Sequence, residues 1–176
     1  MKYLIAGDIH GSYYAAKRLV EAIRKENADH LILLGDIYNH GPRNPLPKEY
    51  APMLVAEILN AVSDITVIKG NCDSEVDQMI SSFTFTESAY IFVDGLKIFL
   101  THGHKFNEDA VPEGCRIMFF GHTHIGRITE KNGVVFANPG SVSLPKNNSE
   151  EGYLFLDGRR LQLKNLDGKI LDERSL

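Results

Sequence analysis

The sequence predicts an α/β fold that opens on a parallel sheet and continues into a β-rich second half. Three observations predict it. Short apolar runs within the first seventy residues each end in Gly and a polar residue. Helix-periodic segments separate those runs. Beyond residue 85 the punctuation changes to Asp-Gly and Asn-Gly pairs, the turn chemistry of hairpins.

The run "KYLIAG" ends at Gly7-Asp8 and reads as the first strand. Helical periodicity follows from Tyr13 to Lys25, with Leu19, Val20 and Ile23 as its apolar stripe and Ser12 as N-cap. "HLILLGD" is a second buried strand, ending at Asp36. The next helix runs from Ala51 to Asn60 and starts beside Pro52, tolerated in a first turn. "ITVIKGN" is the third strand. Three strands joined through helices give βαβαβ, hence a parallel sheet with right-handed crossovers. In the second half, hairpins are expected around Asp94-Gly95 and Asn132-Gly133, with the run "IMFFGH" between them. "GYLFLDGRRLQLKNLDGKIL" adds short strands with Asp-Gly turns. These strands are expected to form a second sheet against the first, within one domain spanning residues 1–176.

Composition narrows the function. The net charge is −4 with no Lys/Arg-rich block, so extended binding along a nucleic-acid backbone is not expected. No apolar run approaches the roughly 18 residues that span a bilayer, and no membrane partner is expected. "MKYLIAGD" runs into Asp8 without a small-residue cleavage site, so it reads as a strand, not a signal peptide. Cys72 and Cys115 suggest no disulfide framework, which points to the cytoplasm.

The chemistry collects at strand ends. Asp8 and His10 stand in "GDIHG", Asp36 in "LGDIYNHG", Asn71 in "KGNCD", His102 in "LTHGH", and His122 and His124 in "GHTH". In open α/β sheets ligands bind outside the carboxyl ends of strands. Within "DIH" and "HTH" the two candidate ligands are i and i+2, which extended chain projects to one side. A single Asp or His at a strand end is ordinarily a turn or packing residue; the repetition of such groups beside glycines is what points to a metal site. Seven candidates exceed one site that must also admit substrate, so the set implies two ions. A carboxylate can bridge two ions about 3.5–4 Å apart and so activate a bridging hydroxide. Two dications and two carboxylates leave a local charge of roughly +2, which favours an anionic ester despite the acidic chain.

The ordered motifs "GDIHG", "GD", "GNCD", "THGH" and "GHTH" resemble those of the calcineurin-like metallophosphoesterases. "NPGSVSLPK" (138–146) is similar to a further signature of that family's small bacterial and archaeal branch. The resemblance implies a two-sheet β-sandwich flanked by helices. It implies that Asp8, His10, Asp36 and His124 hold one divalent ion. Asn71, His102 and His122 complete the other, with Asp36 as the bridge. Manganese is the first expectation, with zinc, iron and nickel as alternatives, and relatives form homodimers or homotetramers. The family pattern places a proton-donating His where this chain has Cys72, and a thiol with a pKa near 8.5 is a poor substitute. Hydrolysis of a small phosphodiester is therefore expected to exceed weak monoesterase activity. Asp73 is expected to support the site, with Ser74 and Asp77 as a capping box after it. Asn71, Asp73, His102, Cys72 and Arg43 are the catalytic candidates, and Asn39 and Arg43 the substrate-binding ones. His40 and His104 could line the site, whereas Cys115 and His30 read as structural. Two other readings stay open: a non-catalytic interaction scaffold, as in a retromer subunit of this fold with a degraded metal site, and a nuclease.

Overall fold

The computed structural model describes residues 1–176. The first half follows the expected alternation. β1 (Lys2–Ala6), β2 (His30–Leu33) and β3 (Ile65–Ile68) pair in parallel, joined by α1 (Tyr13–Glu26) and α2 (Pro52–Asn60). Ser12 caps α1 by accepting a hydrogen bond from the Ala15 N–H at 3.2 Å, and Asn27 ends it in a left-handed conformation. A short α3 (Glu75–Met79) starts at the Ser74–Asp77 capping box, and β4 (Phe85–Thr86) adds an edge strand beside β3.

The second sheet is built from β5 (Ser88–Val93), β6 (Leu96–Thr101), β7 (Ile117–Phe119), β9 (Val134–Pro139) and β8 (Gly126–Lys131), in that order. Its two hairpins turn at Asp94-Gly95 and Asn132-Gly133. Asp94 and Asn132 both adopt positive φ, as such tight turns require. One expectation is corrected here. The last three strands, β10 (Gly152–Asp157), β11 (Arg160–Asn165) and β12 (Ile170–Ser175), do not join the second sheet. They extend the first, through β10 paired antiparallel to β1. Alternation explains why: Tyr153 and Phe155 point to the helix side while Leu154 and Leu156 point between the sheets, so β10 is buried on both faces.

The same alternation divides the core. Leu4, Ala6, Leu31 and Leu33 pack against Leu19 of α1 and Val55 and Leu59 of α2. Tyr3, Ile5, Ile32 and Leu34 face Ile98, Leu100, Ile117 and Phe119 of the second sheet. A third cluster, Phe99, Met118, Phe120 and Phe136, lies on that sheet's far face, where Val111 packs on it. Because β1, β2 and β3 run parallel, as do β6 and β7, the carboxyl ends of each set open at one edge. The loops that start at residues 7, 34, 69, 102 and 120 all leave from those ends.

Candidate metal centre

The five loops converge. All seven residues expected to bind metal come together at the edge where the two sheets meet, and Asp8, His10, His102 and His124 are buried. Two groups form. In one, His10 Nε2 and His124 Nε2 lie 3.1 Å apart, and Asp8 Oδ1 is 3.7 Å from the first and 3.3 Å from the second. In the other, His102 Nε2 lies 3.0 Å from Asn71 Oδ1 and 3.2 Å from His122 Nδ1. Asp36 Oδ2 stands between the groups, 3.8 Å from His10 Nε2 and 3.4 Å from His102 Nε2.

The route by which "DIH" and "HTH" bring their ends together is not the extended chain. Asp8, His10, Asp36, His122 and His124 all have positive φ, between 51° and 67°. Each is a non-glycine residue in the left-handed region, a conformation that costs of order 1 kcal/mol and collects at functional sites. Backbone bonds hold these turns: Asp8 N–H donates to Gly35 O at 2.9 Å, His10 N–H to Asp36 O at 2.9 Å, and Gly121 N–H to His102 O at 2.8 Å. The adjoining glycines are steric necessities at two positions. A Cβ on Gly70 would sit 2.1 Å from Asp36 Oδ1, and one on Gly121 would sit 2.7 Å from Asp8 Oδ2.

The protonation pattern identifies what the groups want. His10 Nδ1 meets Asn39 O, His102 Nδ1 meets Leu34 O and His124 Nδ1 meets Leu144 O, each at 2.7 Å. A carbonyl only accepts, so each neutral ring carries its hydrogen on Nδ1 and keeps a lone pair on Nε2. The lone pairs of His10 and His124 thus face each other, and buried Asp8 Oδ1 has no donor at all. Each carboxylate also has one oxygen pinned and one free: His122 N–H donates to Asp8 Oδ2 at 3.0 Å and Cys72 N–H to Asp36 Oδ1 at 2.8 Å. Lone pairs from imidazole, carboxylate and amide oxygen aimed at two common points fit a pair of divalent cations.

Protons respond to the same field. Burial disfavours the imidazolium of His10 and His102, but Asp8 and Asp36 outweigh it; His10 rises and His102 is pushed up to about 9. Burial would raise both carboxylic acids, but the surrounding His groups reverse this. His10 and His124 hold Asp8 well below the usual carboxylate range, and His102 lowers Asp36. Burial, with the charge of His102, lowers His122.

Asp73 takes no place among the converging atoms. It is 7% exposed, and Oδ2 accepts from Asp36 N–H at 2.8 Å and Gly70 N–H at 2.7 Å while Oδ1 accepts from Ile37 N–H at 2.8 Å. It ties the Asp36 and Asn71 loops together. Burial pushes its pKa up to about 6, and the three donated hydrogens hold back a larger rise. Cys72 lines the cleft above Asp36, where burial first and Asp36 second push its thiol up to about 12. Asn39 and Arg43 line the same cleft of about 790 Å³. The Asn39 side-chain oxygen is spent on Gly41 N–H at 2.8 Å, and its carbonyl on His10. His104 packs beside the second group, its ring 5.4 Å from that of His102 and 6.3 Å from that of His122, whereas His40 packs 5.4 Å from Tyr50.

Several supporting residues escape single-residue motif reading. Ser141 Oγ and Ser143 Oγ both donate to Asp8 O, at 2.7 and 3.0 Å, and Asn138 Nδ2 donates to Gly121 O at 2.7 Å. Lys146 lines the cleft and its N–H donates to His124 O at 3.0 Å. The similarity of "NPGSVSLPK" to a family signature was the one signal for this segment.

Known proteins share this fold. The calcineurin-like phosphoesterase superfamily domain matches residues 1–160. Phosphodiesterase YfcE of Escherichia coli K12 is 44% identical over 97% of this chain and 95% of its own. The solved structure of Yfce, a phosphoesterase from E. coli, superposes with a TM-score of 0.96 at 39% identity, covering 99% of both chains. Phosphodiesterase MJ0936 of Methanocaldococcus jannaschii is 26% identical over 80% of this chain and 83% of its own. Vacuolar protein sorting 29 of Cryptosporidium parvum shares the fold, with a TM-score of 0.69 at 22% identity over 99% of this chain and 98% of its own. This chain belongs to the calcineurin-like phosphoesterase superfamily.

Proposed function

We propose that this chain is a metal-dependent phosphoric diester hydrolase with two divalent ions. It acts on a small phosphodiester and, more weakly, on monoesters. The observation that carries the reading is Asp36 Oδ2, the one oxygen that faces both groups of ligand atoms. Asp8, His10 and His124 would hold one cation, and Asn71, His102 and His122 the other, with Asp36 shared. When bound, such a pair activates water as nucleophile and neutralises charge at phosphorus. Manganese suits the mixture of imidazole, carboxylate and amide donors, as do zinc, iron and nickel.

The remaining work belongs to side chains. The carbonyls of Asn39, Leu34 and Leu144 keep three imidazoles in one tautomer, so their Nε2 lone pairs are preorganised. Arg43, on the Asn39–Asn44 loop, suits a non-bridging phosphate oxygen, and His102, His122 and Asn71 orient the others. Asp73 acts as a positioning residue. Cys72 stands where a proton donor would serve an alkoxide leaving group, and a thiol near 12 yields its proton reluctantly. Diesters with acidic leaving groups need no such proton, which sets the diester preference. Two free cysteines suit a reducing cytoplasm. Asp36→Asn tests the reading: diester hydrolysis falls at least about 100-fold. Hydrolysis at the wild-type rate with two metals bound per chain would overturn it.

A further inference from the structure

The cleft above the two ligand groups carries more positive charge than a simple diester can use. Its one carboxylate is Asp36, its only weakly polar residues are Pro42 and Cys72, and no Phe or Tyr lines it. Arg43 and Lys146 reach it from separate segments. Both are exposed, and neither pairs with a carboxylate.

Their backbones are nonetheless fixed. Lys146 is tied to the His124 loop by its N–H, and its carbonyl accepts from Ser149 N–H at 3.0 Å. Arg43 sits in a turn closed by Asn44 N–H to Gly41 O at 3.2 Å and by Asn44 Nδ2 to His40 O at 2.9 Å. Two anchored cations with free heads beside a centre of local charge roughly +2 overmatch the single negative charge of a diester. Base stacking, which contributes about 1–3 kcal/mol where aromatic faces exist, has no platform here.

We propose that Lys146 forms a second anion subsite, beyond the phosphate that Arg43 meets. The substrate is then a small phosphodiester whose retained arm is a non-aromatic, hydroxylated alcohol carrying a further phosphate group, the other arm being the more acidic leaving group. The assignment rests on the hydrolase reading above for the word diester, but the subsite stands on the cleft itself. A volume of about 790 Å³ lies within the usual range for small-molecule sites and holds both ester arms.

The test compares two esters with the same leaving group, 4-nitrophenyl glyceryl phosphate and 4-nitrophenyl 3-phosphoglyceryl phosphate, on manganese-loaded protein. Wild type favours the phosphorylated ester about tenfold in KM, Lys146→Ala brings the two within about twofold, and Lys146→Arg keeps the preference. Calorimetric titration with propane-1,3-diyl bisphosphate needs no turnover, and wild type binds it about tenfold more tightly than Lys146→Ala. Equal KM values in wild type, or equal bisphosphate affinity in Lys146→Ala, overturn the subsite. If neither ester is hydrolysed while bisphosphate binding still depends on Lys146, the hydrolase reading falls and the subsite stands.

Discussion

Removing the Asp73 carboxylate is the most informative single perturbation of this fold. In Asp73→Ala the N–H groups of Asp36, Ile37 and Gly70 lose acceptors at 2.7–2.8 Å in a place where the side chain is 7% exposed. A buried donor left without a partner costs about 1–3 kcal/mol. A water entering the vacated volume can satisfy one of the three, so the two left cost about 2–6 kcal/mol, a large share of the roughly 5–15 kcal/mol available to a domain. Asp73→Asn keeps one acceptor oxygen and falls between. Urea denaturation followed by circular dichroism measures the loss, and metal content after dialysis measures whether the Asp36 and Asn71 loops still stand in register. An Asp73→Ala protein with the wild-type urea midpoint and full metal content would refute the argument that these three bonds hold the two loops together.

Three further outcomes follow from the same geometry. Cys72→His raises monoester turnover relative to diester turnover by about tenfold, measured with nitrophenyl esters; an unchanged ratio removes Cys72 from the specificity argument. Gly70→Ala, whose Cβ would lie 2.1 Å from Asp36 Oδ1, costs about 1–3 kcal/mol and lowers metal content, read by elemental analysis. Wild-type metal content at an unchanged melting temperature would refute the steric argument. In metal-free protein His102 titrates at about 9 when folded, against 6.5 as its ordinary value. Its contribution is fully present below pH 6.5 and is lost as pH rises through 9, so the melting temperature falls over that window. Manganese added at pH 7 releases on the order of one proton per chain as the imidazoles give up theirs. A flat melting profile with no proton release would refute it.

Much of this architecture was legible because period and punctuation agree. Ser12 before α1, the capping box at Ser74 and the turns at Asp94 and Asn132 are local devices, and each falls where its residues announce it. The destination of β10 to β12 was not legible: which sheet a strand joins depends on which edge is vacant, a property of the assembled core. The seven candidate ligands were legible from their spacing, but the backbone that delivers them was not. Left-handed turns and extended chain can both bring i and i+2 together, and Asp and His tolerate positive φ without advertising it. Asp73 stood beside the candidates in sequence, yet its partners are N–H groups, which no side-chain pattern reveals. Ser141, Ser143 and Lys146 were hidden for the same reason, since two of them act on the Asp8 carbonyl and the third is tethered through its own N–H.

The tie between Ser141, Ser143 and the Asp8 carbonyl, with Leu144 holding His124, has a consequence for biosynthesis. A ribosome that has produced only the opening βαβαβ unit has made three of the donors; the other four, and the segment that secures Asp8 and His124, are still to come. The cage closes only after residue 144 has emerged, more than 130 positions after the aspartate it secures. Metal capture would thus be a late event that follows the meeting of the two sheets and then rivets them at their shared rim.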